Sequence, residues 1–217
     1  MPVPQPVVPI ARRELLQDLV YKALHKAIID GTLKPGDPLR ESEILARFGG
    51  TRTSLRIAIR KLVYDGFVET RPQSGTVVAP CLRSRIPQAL SVYRCLIMAA
   101  IHETTARLTS SDDTAFLAAL HRLDHPQGEM NAMEFFGMLY RPFLLILNNA
   151  FTLQFADRAY GELMRGNGEY DFSNLSGSPA PARVIAAALE RDTPTTEEQA
   201  AAHFDYAAKV IASAIEV

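Results

Sequence analysis

The sequence predicts a mainly α-helical protein: three helices and a β-hairpin at the N-terminus, then six further helices. Apolar residues recur every three or four positions over most of the chain, as they do on the buried face of a helix. Charge divides the chain in two, because residues 1–85 carry 14 Lys and Arg against 8 Asp and Glu, and residues 86–217 carry 9 against 16. The sequence has 217 residues, of which 47% are hydrophobic, and this composition excludes a disordered or fibrous chain.

The overall net charge of −1 is therefore the sum of +6 in the first part and −7 in the second. Such asymmetry predicts two domains with different partners, and a basic domain is attracted to phosphate. Chance remains the alternative, since proteins that bind no polyanion also show splits of this size.

The chain ends and boundaries follow from composition. Residues 1–11 read as a flexible arm broken by four prolines rather than as a signal peptide, and residues 80–85 as a linker between domains 12–79 and 86–217.

No apolar run approaches the roughly 20 residues of a membrane helix. The two cysteines lack metal-type spacing. We therefore expect a cytoplasmic protein without membrane association.

The basic domain consists of five patterned segments joined by turns. Gly49 and Gly50 separate the second and third helices, and Thr51 is placed to cap the third. The predicted helices are Arg12–Asp30, Glu41–Phe48 and Arg52–Asp65, and the predicted strands are Phe67–Thr70 and Thr76–Ala79.

Three helices followed by a hairpin is the layout of a winged helix-turn-helix, whose third helix enters the major groove of DNA. Arg52 at the start of that helix can pair with guanine or with phosphate, and hydroxyls beside it can donate to phosphate oxygens. Arg52, Arg56 and Arg60 form a basic line along the helix. The alternative is a solvated helix face.

Several motifs within residues 12–79, in this order, resemble the DNA-binding domain of the GntR family of bacterial transcription regulators. They are Ala27–Gly36, Leu39 with Glu41, Thr51–Arg56, Leu62–Val68 and Gly75–Val78.

The resemblance implies which side chains contact DNA: Thr51, Arg52, Thr53, Ser54 and Arg56 on the third helix, and Gln73, Ser74 and Gly75 at the wing tip. Two positions depart from the family pattern. Ser42 stands where many relatives have an arginine, which Arg40 could replace, and Ile57 stands where a glutamate is usual.

The acidic domain is similar to the helical sensor domain of the FCD branch of this family, and its helix count to the smaller, VanR-like members. Thr109–Asp113 supplies an N-cap, and residues 166–181 form the one long loop. The predicted helices are residues 86–108, 112–123, 131–148, 150–165, 182–191 and 196–216.

Relatives commonly bind a divalent metal in this domain through one Asp and three His. A register anchored at Asn149 puts Phe136 and Tyr140 at the first two positions, or Tyr140 and Leu144 if it slips by one turn. The next position falls at Pro181 or Ala182, and His203 keeps the pattern. One imidazole does not hold such a metal usefully, so the resemblance implies a degenerate site, and we expect no metal or other cofactor.

A small-molecule effector, an organic acid by this resemblance, would then be held by other groups. Tyr140 and His203 are candidates, and Arg94 or Arg183 could bind a carboxylate. Residues of these types are individually more often packing or surface residues than ligand contacts.

Together these observations predict a homodimeric transcription regulator that binds an inverted repeat in double-stranded DNA and is modulated by the effector. One alternative is a DNA-binding protein whose helical domain only dimerises. A helical enzyme is a weaker alternative, because no Ser/His/Asp, Cys/His or phosphate-loop arrangement occurs. We therefore expect no catalysis.

Overall fold

A computed structural model describes residues 16–72, 75–125, 132–170, 172, 174–175, 178 and 180–216. The chain divides into two compact units, the first ending at Pro80 and the second beginning at Cys81. Within the described residues, no helix combines the length and the hydrophobicity of a membrane span.

The first unit contains three helices and an antiparallel hairpin, which confirms the predicted order of elements. Helix α1 contributes Val20, Leu24 and Ile28 to the core, and α3 packs against it through Leu55 and Leu62. These residues repeat at helical spacing, so one face of each helix is buried and the opposite face is exposed. The elements are α1 (Leu16–Ile29), α2 (Glu41–Phe48), α3 (Arg52–Tyr64), β1 (Val68–Arg71) and β2 (Gly75–Val78).

The turn between α2 and α3 depends on its two glycines. Gly49 and Gly50 have φ angles of 70° and 90°, which side-chain-bearing residues rarely adopt. A Cβ on Gly50 would also lie 1.9 Å from a methyl carbon of Leu16. Thr51 caps α3 as predicted, because its Oγ1 accepts a hydrogen bond from the Ser54 backbone N–H at 3.2 Å. The start of α3 is thereby fixed against α1.

The hairpin pairs Val68 with Val78 and Arg71 with Gly75. It has a third partner that the sequence did not indicate, because the segment before α2 lies along β2. The Leu39 N–H donates to the Thr76 carbonyl at 2.8 Å, and an isolated bridge joins Pro38 to Val77. The wing is thus tied to the body of the domain by backbone hydrogen bonds.

The second unit is built from six α-helices within the described residues, as the sequence predicts. Helix α4 packs against three of the others, α6, α7 and α9, and α8 packs on α9. A short 3-10 turn at Thr105–Arg107 follows α4. The helices are α4 (Arg85–Thr104), α5 (Asp113–Asp124), α6 (Ala132–Leu147), α7 (Ala150–Glu169), α8 (Ala180–Leu189) and α9 (Thr193–Glu216).

Helix α7 continues about one turn beyond the predicted end, through Gly166 and as far as Glu169. The glycine allows a close approach to α4, since a Cβ on Gly166 would lie 2.9 Å from the Ile86 Cδ1. Helical packing thus outweighs the low helix propensity of glycine at this position. The predicted loop is correspondingly shorter at its start.

Candidate nucleic-acid interface and helical-domain pocket

The outward face of α3 carries polar and basic side chains together with one isoleucine. Thr53, Ile57 and Arg60 follow one another at spacings of four and three residues, and all three are exposed. They lie opposite Leu55 and Leu62, which are buried against α1. Among the residues that the structure describes, none covers that face, so it is available to a partner.

The arginines of α3 differ in their surroundings. Arg56 donates from Nε to Oε1 of Glu41 on α2 at 3.3 Å, which directs its side chain towards α2. Arg52 and Arg60 are exposed and make no ion pair within the part of the chain that the structure describes. An exposed ion pair contributes at most about 1 kcal/mol, so phosphate can replace Glu41 as the partner of Arg56.

The first turn of α3 presents hydroxyls beside the backbone N–H groups at the helix N-terminus. The hydroxyls of Thr51 and Ser54 lie 3.1 Å apart, and Thr53 between them is exposed. The first N–H groups of a helix have no intrahelical acceptor, and the helix dipole makes this end positive. This end of α3 is suited to bind an anion such as phosphate.

Arg40 occupies the position immediately before α2 and hydrogen-bonds Glu43 at 2.9 Å. Both side chains are about two-thirds exposed, and Ser42 between them is also exposed. Arg40 is therefore near the position at which the family pattern expects an arginine, although it is held in an ion pair.

At the wing, Gly75 is exposed with a φ of 72°, and the predicted contacts Gln73 and Ser74 lie outside the described residues. Arg71 is a wing cation that was not among the contacts predicted from the sequence. It pairs with Gly75 across the hairpin, and its Nε lies 2.6 Å from Oε1 of Glu69. Its place at the start of the predicted wing turn was a usable signal.

In the helical domain, the structure brings Tyr140 of α6 and His203 of α9 together. A hydrogen bond of 2.9 Å joins the Tyr140 hydroxyl to the His203 Nδ1, and both side chains are buried. Burial lowers the pKa of His203 to about 4, so the imidazole is neutral, and burial raises the pKa of Tyr140. The rings of Phe136 and Phe204 enclose the pair.

These residues do not fit the metal centre of the relatives. The Phe136 ring lies 4.9 Å from the His203 ring, centre to centre, at a position where the resemblance expects a carboxylate. The one imidazole is engaged by Tyr140. Among the described residues, no three His, Cys, Asp or Glu side chains gather in a way that could hold a metal ion.

The two predicted arginines do not take part in the Tyr140–His203 hydrogen bond. Arg94 forms an ion pair of 2.5 Å with Asp205, and both side chains are substantially exposed. Arg183 is exposed on α8. Their effector-binding role stays a prediction.

A cavity of about 140 Å³ lies between α4, α6 and α7. Arg141 and Asp157 form an ion pair of 2.6 Å in its wall, and both are about half exposed. Tyr93 is a fully buried wall residue whose ring also contacts Phe136. The remaining lining residues are Gly137, Met138, Leu144 and Tyr160.

Tyr160 defines the shape of the cavity. Its hydroxyl donates to the Met133 carbonyl at 2.8 Å, and a Cβ on Gly137 would lie 2.4 Å from its ring. The sequence does not indicate this site, because only tertiary packing brings α6 and α7 together here. The glycine within α6 was the single local signal.

The geometry of the first unit defines a winged helix-turn-helix domain of the DNA-binding class. Residues 16–78 match the family model described as bacterial regulatory proteins, gntR family. This part of the chain is therefore similar to the helix-turn-helix domain of that family.

The chain is similar to the HTH-type transcriptional repressor RspR of Escherichia coli (strain K12), with 26% identity over 103 residues. The match covers 48% of this chain and 45% of RspR, so the chain spans less than half the length of that relative. It is also 36% identical over 67 residues to the HTH-type regulator Rv0494 of Mycobacterium tuberculosis, covering 30% of this chain and 28% of that one.

Solved structures share the fold over both units. Escherichia coli McbR/YncC matches with a TM-score of 0.74 and 17% identity, over 92% of this chain and 98% of that one. A GntR transcriptional regulator from Rhodococcus sp. RHA1 matches with a TM-score of 0.71 and 19% identity, over 91% and 98%. At these identities the likeness shows the fold alone.

Proposed function

We propose that the protein is a transcription regulator that binds double-stranded DNA through α3 and the wing. The single observation that carries this proposal is the uncovered outer face of α3, with Arg52 and Arg60 unpaired within the described residues. Arg52 lies at the N-terminus of α3, which Thr51 caps, and this end of a recognition helix is the part that enters the major groove.

The residues divide by the chemistry of their contacts. Arg52 binds guanine O6 and N7 or a phosphate, and Arg56 exchanges Glu41 for a phosphate. Thr51, Thr53 and Ser54 donate to phosphate oxygens. Arg40 contacts the backbone from the start of α2, and the wing residues Gln73, Ser74 and Gly75 contact it from the hairpin.

The test compares Arg52→Ala with Arg107→Ala, an exposed arginine of the helical domain. Full-length protein is titrated with a selected inverted-repeat duplex and with a scrambled duplex between 50 and 200 mM salt. Arg52→Ala removes one bidentate guanine contact from each half-site, and each contact is worth about 1–3 kcal/mol, so discrimination should fall by at least about 30-fold. Arg107→Ala should retain wild-type discrimination. Unchanged discrimination in Arg52→Ala would refute the assignment of this residue.

Dimerisation follows from the size of the reading surface. One recognition helix contacts only a few base pairs, so two copies related by a two-fold axis are needed for a specific operator, which is then an inverted repeat. Sedimentation of the protein with and without a two-half-site duplex measures this. A single copy bound per duplex would contradict the proposal.

We further propose that a small organic acid bound in the helical domain modulates DNA binding without a metal. The cavity between α4, α6 and α7 supports this, since a ligand carboxylate can replace Asp157 on the fork of Arg141. Tyr93 connects this cavity to the aromatic rings around Tyr140 and His203. Arg94 and Arg183, which the sequence predicts, are alternative carboxylate partners.

Thermal shifts with a panel of organic acids, with and without EDTA, test this part. An acid present at a free concentration of 100 times its Kd raises the free energy of unfolding by about 2.7 kcal/mol. Arg141→Gln should lose the shift, whereas the surface variant Arg107→Gln, which lies outside the cavity lining, should keep it. A large metal-dependent shift would contradict the loss of the metal site. No shift with any acid favours the alternative, a helical domain that only dimerises.

A further inference from the structure

Ile57 is an aliphatic residue at the centre of the outward face of α3. Its side chain is 43% exposed, and it lies between Thr53 and Arg60 on the line opposite the buried Leu55 and Leu62. Ile57 is absent from the apolar core of its domain. Its hydrophobic surface therefore contributes little to folding.

An exposed isoleucine alone indicates nothing, because single surface hydrophobics are normal. What distinguishes Ile57 is its neighbours, which are hydrogen-bond donors suited to DNA. The Arg56 side chain is drawn towards Glu41 on α2, which leaves the middle of the outward face to Ile57. An aliphatic side chain there can meet only an apolar feature of the partner.

The major groove of DNA offers one apolar feature, the C5-methyl group of thymine. We infer that Ile57 is a specificity-determining residue that packs on a thymine methyl in each half-site of the operator. This inference rests on the proposed function and adds the base class that this position selects. The glutamate that the family pattern has here would accept a hydrogen bond from cytosine N4 instead. Isoleucine therefore exchanges a polar preference for an apolar one.

The test removes the methyl group and nothing else. An operator is first selected from randomised duplexes with the full-length protein, and each thymine is then replaced by deoxyuridine at both symmetric positions. Burial of one methyl-sized group corresponds to about fourfold in affinity, so one symmetric pair should weaken wild-type binding by about fifteenfold. The variant Ile57→Ala should bind the two duplexes equally well.

Val63→Ala is the matched control, because Val63 is also β-branched, is 40% exposed and lies in the last turn of α3. This variant should keep the full response to deoxyuridine. Ile57→Glu should change the selected base at the responsive position from thymine to cytosine. That outcome would be independent of any small loss of affinity.

The outcomes separate the two proposals. If wild-type protein selects no sequence, the proposed function itself fails. If it selects an operator in which no thymine responds to loss of its methyl group, only the inference about Ile57 fails. An equal deoxyuridine response in wild type and Ile57→Ala would also overturn it.

Discussion

The buried histidine of the helical domain should make the stability of that domain depend on pH. His203 is 2% exposed, and burial lowers its pKa from 6.5 to about 4. Between pH 6.5 and about pH 4, the imidazole is therefore protonated in the unfolded chain but neutral in the folded domain. The free energy of unfolding must then fall as the pH falls from 6.5 towards 4, and it must be largest above 6.5.

The size of this effect follows from the two pKa values. One pKa unit corresponds to 1.36 kcal/mol, so the full loss across the window is about 3 kcal/mol. Between pH 7 and pH 5 it is about 2 kcal/mol. This is a large fraction of the stability of an ordinary domain.

Urea unfolding of wild type and His203→Gln at pH 7 and pH 5 measures the effect. Glutamine can still accept a hydrogen bond from Tyr140 but does not titrate, and the other titrating groups cancel in the difference between the two proteins. From pH 7 to pH 5, we expect the free energy of unfolding of the wild type to fall by about 2 kcal/mol more than that of the variant. Equal losses, or an NMR titration of His203 near 6.5, would refute the reasoning.

Three further changes have expected outcomes from packing. Gly50→Ala should destabilise the first unit severely, because its Cβ would lie 1.9 Å from Leu16. Gly49→Ala meets no atom within 4 Å and should cost about 1–3 kcal/mol, because its φ of 70° and ψ of −166° are backbone angles essentially restricted to glycine; equal thermal shifts would contradict this. Tyr140→Phe leaves the buried His203 nitrogen without its partner and should cost about 1–3 kcal/mol in urea unfolding. Phe204→Ala, which opens a void in the aromatic core, should cost about 3–5 kcal/mol, and a cost below 1 kcal/mol would show that the core collapses around it.

The parts of the fold that local patterns dictate could be predicted from the sequence. The Thr51 cap is such a case, because capping needs only the residues that follow Thr51 in the chain. The pairing of residues 36–39 with β2 could not be predicted, because it joins segments that are distant in the chain and carry no alternating pattern. The extension of α7 was missed for a related reason, since the close approach of Gly166 to Ile86 is a property of the packed pair.

The candidate sites show the same division. The neighbourhood of Tyr140 and His203 was anticipated through a resemblance, whereas their hydrogen bond needed the structure. The sequence does not indicate the Arg141–Asp157 pair, because two charged residues sixteen positions apart on separate helices are typical of a protein surface. Sequence patterns identify which face of a helix is buried, and packing decides which faces meet.

The backbone bridge between Pro38 and Val77 divides the wing into an anchored base and an outer end. The base of the hairpin is anchored in the body of the domain, whereas Arg71 and Gly75 at the far end of the two strands are exposed. Insertions and substitutions at that end can therefore accumulate without disturbing α3. Under the proposed function, the wing and α3 can diversify independently, so a lineage can alter DNA-backbone contacts at the wing while keeping the base preference of the helix.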